Sequence, residues 1–371
     1  MKIKPFELER YFAKYEFSTP YLLSCSDCEP LTLKELLGLA DKDSRKMWDE
    51  LWLGYTESQG HPVLREEVSK FYSNIKPDQV LVITPEEGIF IAMSVLLEKG
   101  DHVIATFPGY QSLYEIGTSM GCEVTKWEPR HEGEWSFDID FLKNAIKDNT
   151  KLIVVNFPHN PTGYLPSKDQ FREIVNIAKE KGIYLFSDEM YRFLEYDPQD
   201  RLDSASDLYE NAVSLFGVSK TFALAGLRIG WLTTQNQELY KKLATFKDYT
   251  TICSSAPSEI LAIMAIRAKD RIIKRNLEII NSNLTLLDRF FDQNIDRFEW
   301  SKPKAGTIGF PSLKTSQKID ELCSNLVKKQ GVMLLPSSVY NYDGNNFRIG
   351  FGRKNMPSAL EQLKKYTDEQ K

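Results

Sequence analysis

Short apolar runs alternate with helix-like stretches over the middle of the chain, and this alternation limits the fold more than any other feature. The pattern predicts strands near residues 80–83, 102–106, 122–126, 151–155, 183–187, 212–216 and 227–232. Strands that alternate with helices indicate a largely parallel sheet with helices on both faces. Ligands of such sheets bind beyond the carboxyl ends of the strands. The residues that follow these strands are therefore candidates for a site, and they include Tyr110, Asn160, Asp188 and Lys220.

A lysine and an arginine follow the sixth of these runs. Lys220 comes after a buried strand that stops at Gly217, and its neighbours are small or apolar. Most strand-end lysines are solvated loop residues, but this setting suits an amine of low pKa, which can form a Schiff base with a carbonyl. Arg228 also lies among small and apolar residues, so its guanidinium should have a fixed anionic partner. A lysine for a carbonyl and an arginine for a phosphate together suggest pyridoxal phosphate.

Four motifs in a fixed order support this interpretation. They are Asn-Pro-Thr-Gly at 160–163, Asp-x-x-Tyr at 188–191, Ser-Lys at 219–220 and Gly-x-Arg-x-Gly at 226–230. With these motifs the sequence resembles the fold-type I, class I/II aminotransferases, the aspartate aminotransferase superfamily, over nearly its whole length. The resemblance implies an α/β fold with a mostly parallel seven-stranded sheet in a large pyridoxal-phosphate domain and a smaller α+β domain.

The chain of 371 residues is long enough for two domains. We expect residues 46–275 to form the large cofactor-binding domain, and residues 1–45 and 276–371 to form the small domain with an N-terminal arm. An uninterrupted helical pattern from about Ser258 to Asn294 predicts one long helix that bridges the two. Strand patterns at 306–310, 332–335 and 346–350, with helices near 316–329 and 357–366, predict the α+β part.

The resemblance also implies a role for each candidate residue. Lys220 would carry the cofactor as a Schiff base and move the substrate proton, and Asp188 would pair with the pyridine nitrogen. Tyr191 and Asn160 would hydrogen-bond the ring oxygen, and Tyr110 would stack on the ring. Tyr114, one helical turn after Tyr110, is expected in the core or the substrate wall. Arg228 would clamp the phosphate with help from Ser219.

Two departures from the family pattern fall at the expected phosphate site. Family members usually begin the helix after the first strand with a Gly-Ala pair and a hydroxyl residue, whose free N–H groups hold the phosphate. This chain has Thr84-Pro85-Glu86-Glu87, which is typical of a capping box. We expect the backbone N–H groups of Glu86 and Glu87 to meet the phosphate, with both side chains turned away, whereas Pro85 can donate nothing. Gly217 replaces a serine that the family often has three residues before the lysine.

The resemblance places the substrate near Arg348, in a motif whose arginine receives the α-carboxylate through two parallel hydrogen bonds. Arg353 is a nearby competitor for that role. Residues 23–28 would approach the same carboxylate. Tyr55 matches a tyrosine that reaches the cofactor phosphate of the neighbouring subunit, which implies a homodimer with shared active sites; the alternative is a loop tyrosine that packs on Trp52.

Composition excludes several other classes of protein. A formal net charge of −5 without a long basic run argues against nucleic-acid binding. No apolar run reaches membrane length, so we expect a cytoplasmic protein that does not bind membranes. Five cysteines form no disulfide framework, and the four histidines show no ligand spacing, so we predict no metal.

We therefore expect an enzyme of amino acid metabolism or biosynthesis, a pyridoxal 5'-phosphate-dependent aminotransferase. It would move an amino group between an α-amino acid and a 2-oxo acid. Residues 249–254 offer no basic side chain, so a neutral or aromatic donor is favoured over aspartate. The first alternative is a pyridoxal-phosphate lyase, or an amino-acid synthase or cyclase, on the same scaffold. A non-catalytic ligand-binding protein is less favoured, because Lys220, Asp188, Asn160 and Arg348 are all present.

Overall fold

The computed structural model describes residues 2–369. Its helices follow one another along the chain as α1 (Glu7–Tyr15), α2 (Leu33–Leu39), α3 (Lys42–Asp49), α4 (Pro62–Ser69), α5 (Pro85–Leu96), α6 (Ser112–Met120), α7 (Ile139–Ala145), α8 (Lys168–Glu180), α9 (Ala205–Leu208), α10 (Gln237–Lys247), α11 (Ala256–Arg267), α12 (Lys269–Asp292), α13 (Ile319–Gln330) and α14 (Met356–Asp368). Short 3₁₀ turns occupy Pro77–Gln79, Pro198–Asp200, Ala225–Leu227 and Ser337–Tyr340.

The strands are β1 (Tyr21–Leu22), β2 (Val80–Ile83), β3 (His102–Thr106), β4 (Glu123–Trp127), β5 (Arg130–His131), β6 (Trp135–Ser136), β7 (Thr150–Asn156), β8 (Tyr184–Asp188), β9 (Ala212–Gly217), β10 (Gly230–Thr233), β11 (Phe298–Glu299), β12 (Ile308–Gly309), β13 (Ser312–Leu313), β14 (Val332–Met333), β15 (Leu335–Pro336) and β16 (Phe347–Gly350). The main sheet has seven strands in the order β2-β10-β9-β8-β7-β3-β4. Only β10 runs antiparallel to its neighbours in this sheet. The predicted mostly parallel seven-stranded sheet is therefore confirmed.

The strand β10 begins later than the sequence pattern predicts. The residues before it form a 3₁₀ turn, and Arg228 has a left-handed backbone with φ of 56°. This turn reverses the chain, so that β10 pairs antiparallel to β9 from Gly230 onward. Apolarity alone could not distinguish the turn from the strand, because Leu227 and Ile229 are apolar in both.

The main sheet, apart from its edge strand β4, is buried on both faces. Strands β2, β3 and β9 have every residue buried, as parallel strands covered by helices require. Helix α12 joins two hydrophobic cores, since Ile272 packs with α11 and the main sheet while Ile280 and Leu284 pack with β16 and α14.

The predicted single helix from about 258 to 294 is two helices. Helices α11 and α12 meet at Ala268, whose ψ of 12° lies outside the helical range. The Ala268 N–H still bonds to the carbonyls of Met264 and Ala265, at 3.0 and 3.1 Å. Ala268 is buried in the core, so packing sets this break without a Gly or Pro to mark it.

A close backbone approach fixes the N-terminal arm on the C-terminal part of the chain. The Gly350 N–H donates to the Leu23 carbonyl at 2.8 Å. A Cβ at Gly350 would lie 2.0 Å from the Cys25 carbonyl oxygen, so only glycine allows this contact. Strand β16 pairs with β12 on one side and β15 on the other. Residues 23–28 therefore lie against the sheet that carries Arg348.

The division into domains at 46–275, and at 1–45 with 276–371, stays a prediction. Met1, Gln370 and Lys371, which the division includes, lie outside the described residues. Within residues 2–369, no helix combines the length and the apolarity needed to cross a bilayer.

Candidate active site

A pocket of about 380 Å³ opens at the carboxyl ends of β7, β8 and β9. Helix α1, residues 25–27 and the start of α5 close its other sides. The pocket brings together most of the residues that the sequence singled out: Glu86, Tyr110, Asn160, Asp188, Tyr191, Ser219, Lys220, Arg228 and Arg348. These side chains come from distant parts of the chain, so their convergence is independent of any single motif.

Lys220 follows β9 and directs its amine into the pocket. Its Nζ donates a hydrogen bond to Ser26 Oγ at 2.8 Å. Burial lowers the pKa of the Lys220 amine, although the negative charge of Asp27 opposes this effect. A buried amine with a lowered pKa is more often neutral, and a neutral amine can act as a nucleophile and as a base.

Asp188 is the last residue of β8, and its carboxyl group is buried in the pocket wall. It accepts a hydrogen bond from the Met190 N–H at 3.1 Å. Burial raises the pKa of Asp188 to about 7. A positively charged ligand atom beside this carboxyl would favour its ionised form.

Tyr191 and Asn160 both line the pocket but have different partners. The Tyr191 hydroxyl donates to the Ser26 carbonyl at 3.1 Å. The Asn160 side-chain oxygen accepts from the Tyr340 hydroxyl at 3.2 Å and from Arg348 at 3.3 Å. Asn160 therefore lies at the junction between the main sheet and β16.

Arg348 is a buried cation without a carboxylate partner. Its side chain is only 1% exposed. The guanidinium donates to the Ser24 carbonyl at 2.8 and 3.1 Å and to the Tyr340 hydroxyl at 2.8 Å. Ion pairs within residues 2–369 do not include it. A buried charge surrounded by neutral acceptors is costly, so this guanidinium suits an anionic ligand such as a carboxylate.

Arg353, the competitor for that role, already has an anion. It forms two hydrogen bonds to the Asp27 carboxylate, at 2.9 and 3.2 Å. The paired geometry uses the planar fork of the guanidinium. Arg348 is therefore the better candidate for a substrate carboxylate.

The two side chains predicted to bind the phosphate, Ser219 and Arg228, both line the pocket. Ser219 is 5% exposed, and its hydroxyl has no hydrogen-bond partner among the described side chains and backbone. Arg228 lies nearby, and its guanidinium donates to its own turn, at the Ala225 carbonyl, 3.0 Å away. Its left-handed backbone is a strained conformation of the kind that is concentrated at functional sites. Both groups would be satisfied by a bound phosphate.

The capping box predicted at the start of α5 is wrong. The Thr84 hydroxyl donates instead to the Arg228 carbonyl at 3.1 Å, so it ties α5 to the turn before β10. The Glu87 carboxylate turns away from the pocket, as expected, and accepts from the Thr251 N–H and hydroxyl at 3.1 and 2.8 Å. The sequence could not reveal these partners, because each is more than a hundred residues away.

The expectation that the Glu86 side chain turns away is also wrong. Glu86 lines the pocket, and its carboxyl group accepts a hydrogen bond from the Ser112 hydroxyl at 3.2 Å. Burial raises the pKa of Glu86 to about 7. The group is therefore partly neutral near pH 7, which reduces its repulsion of a phosphate.

The two departures from the family pattern, Pro85 and Gly217, are structurally linked. A Cβ at Gly217 would lie 2.8 Å from the Gly230 Cα, 2.9 Å from the Ile229 carbonyl oxygen and 3.3 Å from the Pro85 ring. A Cβ at Gly230 would also lie 2.8 Å from the Pro85 ring. The Pro85 ring therefore lies against both glycines, and at Gly217 the backbone of Ile229 and Gly230 leaves even less room, so a serine at 217 would require this backbone to shift.

We therefore predict that Gly217→Ser lowers the free energy of unfolding by about 1–3 kcal/mol, the usual cost of overpacking. Thermal and urea unfolding of the purified protein would measure the change. Gly226→Ser is the matched control, since a Cβ at Gly226 would meet no atom within 4 Å. Equal stability of the two variants would contradict the packing argument.

The aromatic candidates have three different placements. Tyr110 lines the pocket, with its ring 4.9 Å from the Phe6 ring and its hydroxyl 3.3 Å from a Glu9 oxygen. Tyr114 belongs to the core, edge-on to Phe107 at 5.5 Å. Tyr55 is 93% exposed and does not line this pocket. Its predicted role in a neighbouring subunit stays a prediction.

Ser26 and Asp27 belong to the segment 23–28 that was expected near the substrate carboxylate, but several other pocket residues were missed by the sequence analysis, among them Glu9, Phe12, Glu16 and Asn156. Asn156 ends β7, so its position at a strand end could have indicated it. The others reach the site only because the N-terminal arm folds over it, and no local pattern reveals that. Tyr340 was also missed, since it lies in the 3₁₀ turn at Ser337–Tyr340 outside every motif, although it bonds to both Asn160 and Arg348.

The donor set fits pyridoxal phosphate. The pocket offers an amine of lowered pKa, a buried carboxyl group, and a hydroxyl and a guanidinium that lack an anion. The amine suits the aldehyde of the cofactor, the carboxyl group suits its ring nitrogen, and the hydroxyl and the guanidinium suit its phosphate. In the part of the chain that the structure describes, no three His, Cys, Asp or Glu side chains are arranged to hold a metal ion.

Comparisons with known proteins agree with this geometry. The family model "Aminotransferase class I and II" matches residues 42–363. Capreomycidine synthase of Streptomyces vinaceus is 27% identical over 350 residues, which cover 93% of this chain and 88% of that protein. A PLP-dependent aminotransferase structure from Streptococcus suis 89-1591 is 30% identical with a TM-score of 0.93, covering 100% of this chain and 99% of that one. The PLP-dependent cyclase OrfR is 25% identical with a TM-score of 0.91, at the same coverage.

Proposed function

Because this chain belongs to the class I and II aminotransferases, we propose that it transfers an amino group from an α-amino acid to a 2-oxo acid. Its cofactor is pyridoxal 5'-phosphate. The observation that carries the proposal is the placement of Lys220, Asp188 and Arg348 around one pocket, with an amine of lowered pKa and a buried guanidinium that lacks a carboxylate. Lys220 would act at the reacting carbon, Asp188 would contact the cofactor ring, and Arg348 would bind the substrate carboxylate.

The cofactor, when bound, supplies an electron sink for the breaking Cα–H bond. Lys220 would hold it covalently, and Arg228 and Ser219 would bind its phosphate. Arg348 would orient the amino acid through its carboxylate. The Lys220 amine would then move the proton of the substrate α-carbon. Ser26 would keep that amine directed into the pocket through the hydrogen bond at 2.8 Å.

An amino-acid synthase or cyclase is the second candidate. Two of the similar proteins named above, capreomycidine synthase and the OrfR cyclase, favour it. Both activities use a lysine and a bound cofactor, so the residues of this pocket are compatible with either. The reaction products distinguish transamination from a synthase or cyclase activity, because only transamination leaves the amino group on the enzyme.

We also propose a homodimer with shared sites. Exposed aromatic and apolar side chains occur in two segments, at Trp52, Leu53 and Tyr55 and at Tyr249 and Ile252, and Lys247 links the two loops by donating to the Ser58 and Ile252 carbonyls. Large apolar groups of this kind usually lie at interfaces. In a dimer, Tyr55 would reach the phosphate of the other subunit. Sedimentation of the purified protein would test this, and a fully active monomer would contradict it.

The absorbance spectrum of the cofactor tests the function. Amino acids are added one at a time, without a 2-oxo acid, to the protein loaded with pyridoxal phosphate. Transamination predicts conversion of the cofactor to its amine form together with one equivalent of oxo acid. Continued turnover with release of ammonia or a cyclic product would instead establish the second candidate.

We predict that ionisation of Glu86 weakens the binding of pyridoxal phosphate as the pH rises through about 7, whereas ionisation of Asp188, whose pKa is also raised to about 7, acts in the opposite direction. The Glu86 pKa is raised to about 7 by burial, so the carboxyl group is neutral below this pH and repels the phosphate above it. Glu86→Gln should remove the Glu86 contribution and, relative to wild type, tighten binding at about pH 8 by roughly three- to tenfold.

Fluorescence titrations with pyridoxal phosphate between about pH 6 and pH 8 would measure the dissociation constants. Glu87→Gln is the control, because the neighbouring Glu87 carboxylate faces Thr251 rather than the pocket. The same pH dependence in wild type and Glu86→Gln would show that Glu86 does not face the phosphate.

A further inference from the structure

We propose that Asn156 is a positioning residue for the cofactor, because its one side chain is bonded to the backbones of both Asp188 and Asn160. This inference rests on the proposed function, in which Asp188 contacts the ring nitrogen of pyridoxal phosphate and Asn160 contacts the ring oxygen. Asn156 sets the relative position of these two contacts and takes no part in the chemistry itself.

Asn156 lies where the segments that carry Asp188 and Asn160 meet. It is the last residue of β7, and it is paired in register with Asp188, the last residue of the neighbouring parallel strand β8. Asn160 follows four residues later, in the loop after β7. Asn156 is 2% exposed and lines the same pocket as the other two residues. A single side chain at this position can therefore contact both of them.

The two ends of the Asn156 amide have different partners. Its Oδ1 accepts a hydrogen bond from the Asn160 N–H at 2.8 Å, and its Nδ2 donates to the Asp188 carbonyl at 3.1 Å. Both hydrogen bonds are buried. The oxygen of an amide only accepts and its nitrogen only donates, so the two bonds together determine how the amide is oriented. The side chain thus ties the loop after β7 to the end of β8.

The loop after β7 depends on this side chain because it has few backbone donors. The prolines on either side of the pair His159-Asn160 have no N–H. The His159 N–H is already bonded to the Tyr164 carbonyl at 2.8 Å. If Asn156 were replaced, the Asn160 N–H would lose its partner in a buried position, which is costly. A displacement of the loop would then be favoured.

Such a displacement would reach the cofactor through the Asn160 side chain. The Asn160 Oδ1 accepts from the Tyr340 hydroxyl at 3.2 Å and from Arg348 at 3.3 Å. These bonds occupy the oxygen and leave the Asn160 Nδ2 as the donor for the ring oxygen. A shift of the loop would lengthen that bond, so the loss of Asn156 should be detectable at the ring.

Asn156→Ala tests the proposal through the absorbance of the bound cofactor, recorded against pH without any amino acid. The Asn160 hydrogen bond favours the ionised ring oxygen, so weakening it should move the midpoint of the spectral change upward by about 0.5–1 pH unit. The substitution changes no charge, so this shift reports a change of position. The affinity for pyridoxal phosphate should fall by about two- to tenfold in the same variant.

A second substitution, Asn160→Ala, shows whether Asn156 acts through Asn160. The spectral midpoint should also move upward in Asn160→Ala. In that background, Asn156→Ala should move it by less than half as much as in the wild-type background, because the bond it disturbs is already absent. Fully additive shifts would overturn the proposal, and so would an unchanged midpoint in Asn156→Ala.

Asn294→Ala is the matched control for loss of a buried amide. Asn294 is also buried, and its Nδ2 donates to the Phe290 carbonyl at 2.8 Å, outside the pocket. This variant should unfold at a lower temperature than wild type and keep the wild-type midpoint. The same shift in Asn294→Ala as in Asn156→Ala would show that the shift reports lost stability, and would overturn the proposal.

The Asn156 variants should fold, because the Asp188 carbonyl also accepts from the Phe157 N–H at 3.2 Å. Asn156→Ser is the second variant if the alanine variant does not fold; its hydroxyl is too short to reach both partners, so the same upward shift is expected. Absence of transamination with every amino acid would overturn the proposed function instead. The spectral midpoint is measured without substrate, so it would still decide this inference.

Discussion

Lys220→Ala should abolish transamination, with a loss of about 10⁴-fold or more in rate. The amine is expected both to hold the cofactor and to move the substrate proton, and general acid–base catalysis alone contributes about 10²–10⁴-fold. The absorbance band of the protein-bound cofactor should change in the same variant. Stopped-flow measurement of the half-reaction and the spectrum of the loaded protein would give both values.

The variant should fold. Burial lowers the pKa of the Lys220 amine, so the folded state gains little from this charge, and alanine removes it. Lys242→Ala is the control, because that lysine is exposed on α10. A Lys220→Ala protein that retained an unchanged cofactor band and measurable turnover would refute the cofactor assignment.

Arg348→Lys should raise the KM for the amino donor by about 10- to 100-fold and change kcat less. Lysine keeps the positive charge but cannot form two parallel hydrogen bonds with a carboxylate. Each hydrogen bond to a charged group contributes about 1.5–3 kcal/mol, so losing one accounts for this effect. Steady-state kinetics with the donor identified from the absorbance test would measure it.

Structural damage must be separated from lost recognition, because Arg348 also holds Ser24 and Tyr340. Arg289→Lys, on the exposed face of α12, controls for the substitution itself. Pyridoxal phosphate affinity serves as the second measurement, since the α-carboxylate contact does not affect it. If KM is unchanged while cofactor affinity falls, Arg348 has a structural role only.

The residues at the ends of the main strands were predictable because their motifs are local. Asp188 and Lys220 each follow a buried strand, and the carboxyl ends of parallel strands meet at one edge of a sheet. The seven strands themselves follow from short runs of apolar residues. Arg348 was identified by its place in a motif, and the structure brings it into the same pocket.

The remaining features depend on contacts between distant residues. The direction of the Glu86 carboxyl group is set by Ser112 and the pocket, and that of Glu87 by the loop after α10. The positions of Glu9 and Glu16 in the pocket depend on the docking of the arm. The break at Ala268 depends on core packing, and no residue type marks it. Local sequence patterns contain none of this information.

The packing of the N-terminal arm against Gly350 has a consequence for when the pocket can form during synthesis of the chain. Ser24 and Arg348, which contact each other, are 324 residues apart in the chain. At about 5–20 residues per second, a ribosome would need roughly 15–65 seconds between them. During this interval the contacts between the arm and β16 cannot form. The predicted carboxylate site at Arg348 is therefore complete only when almost the whole chain has been translated.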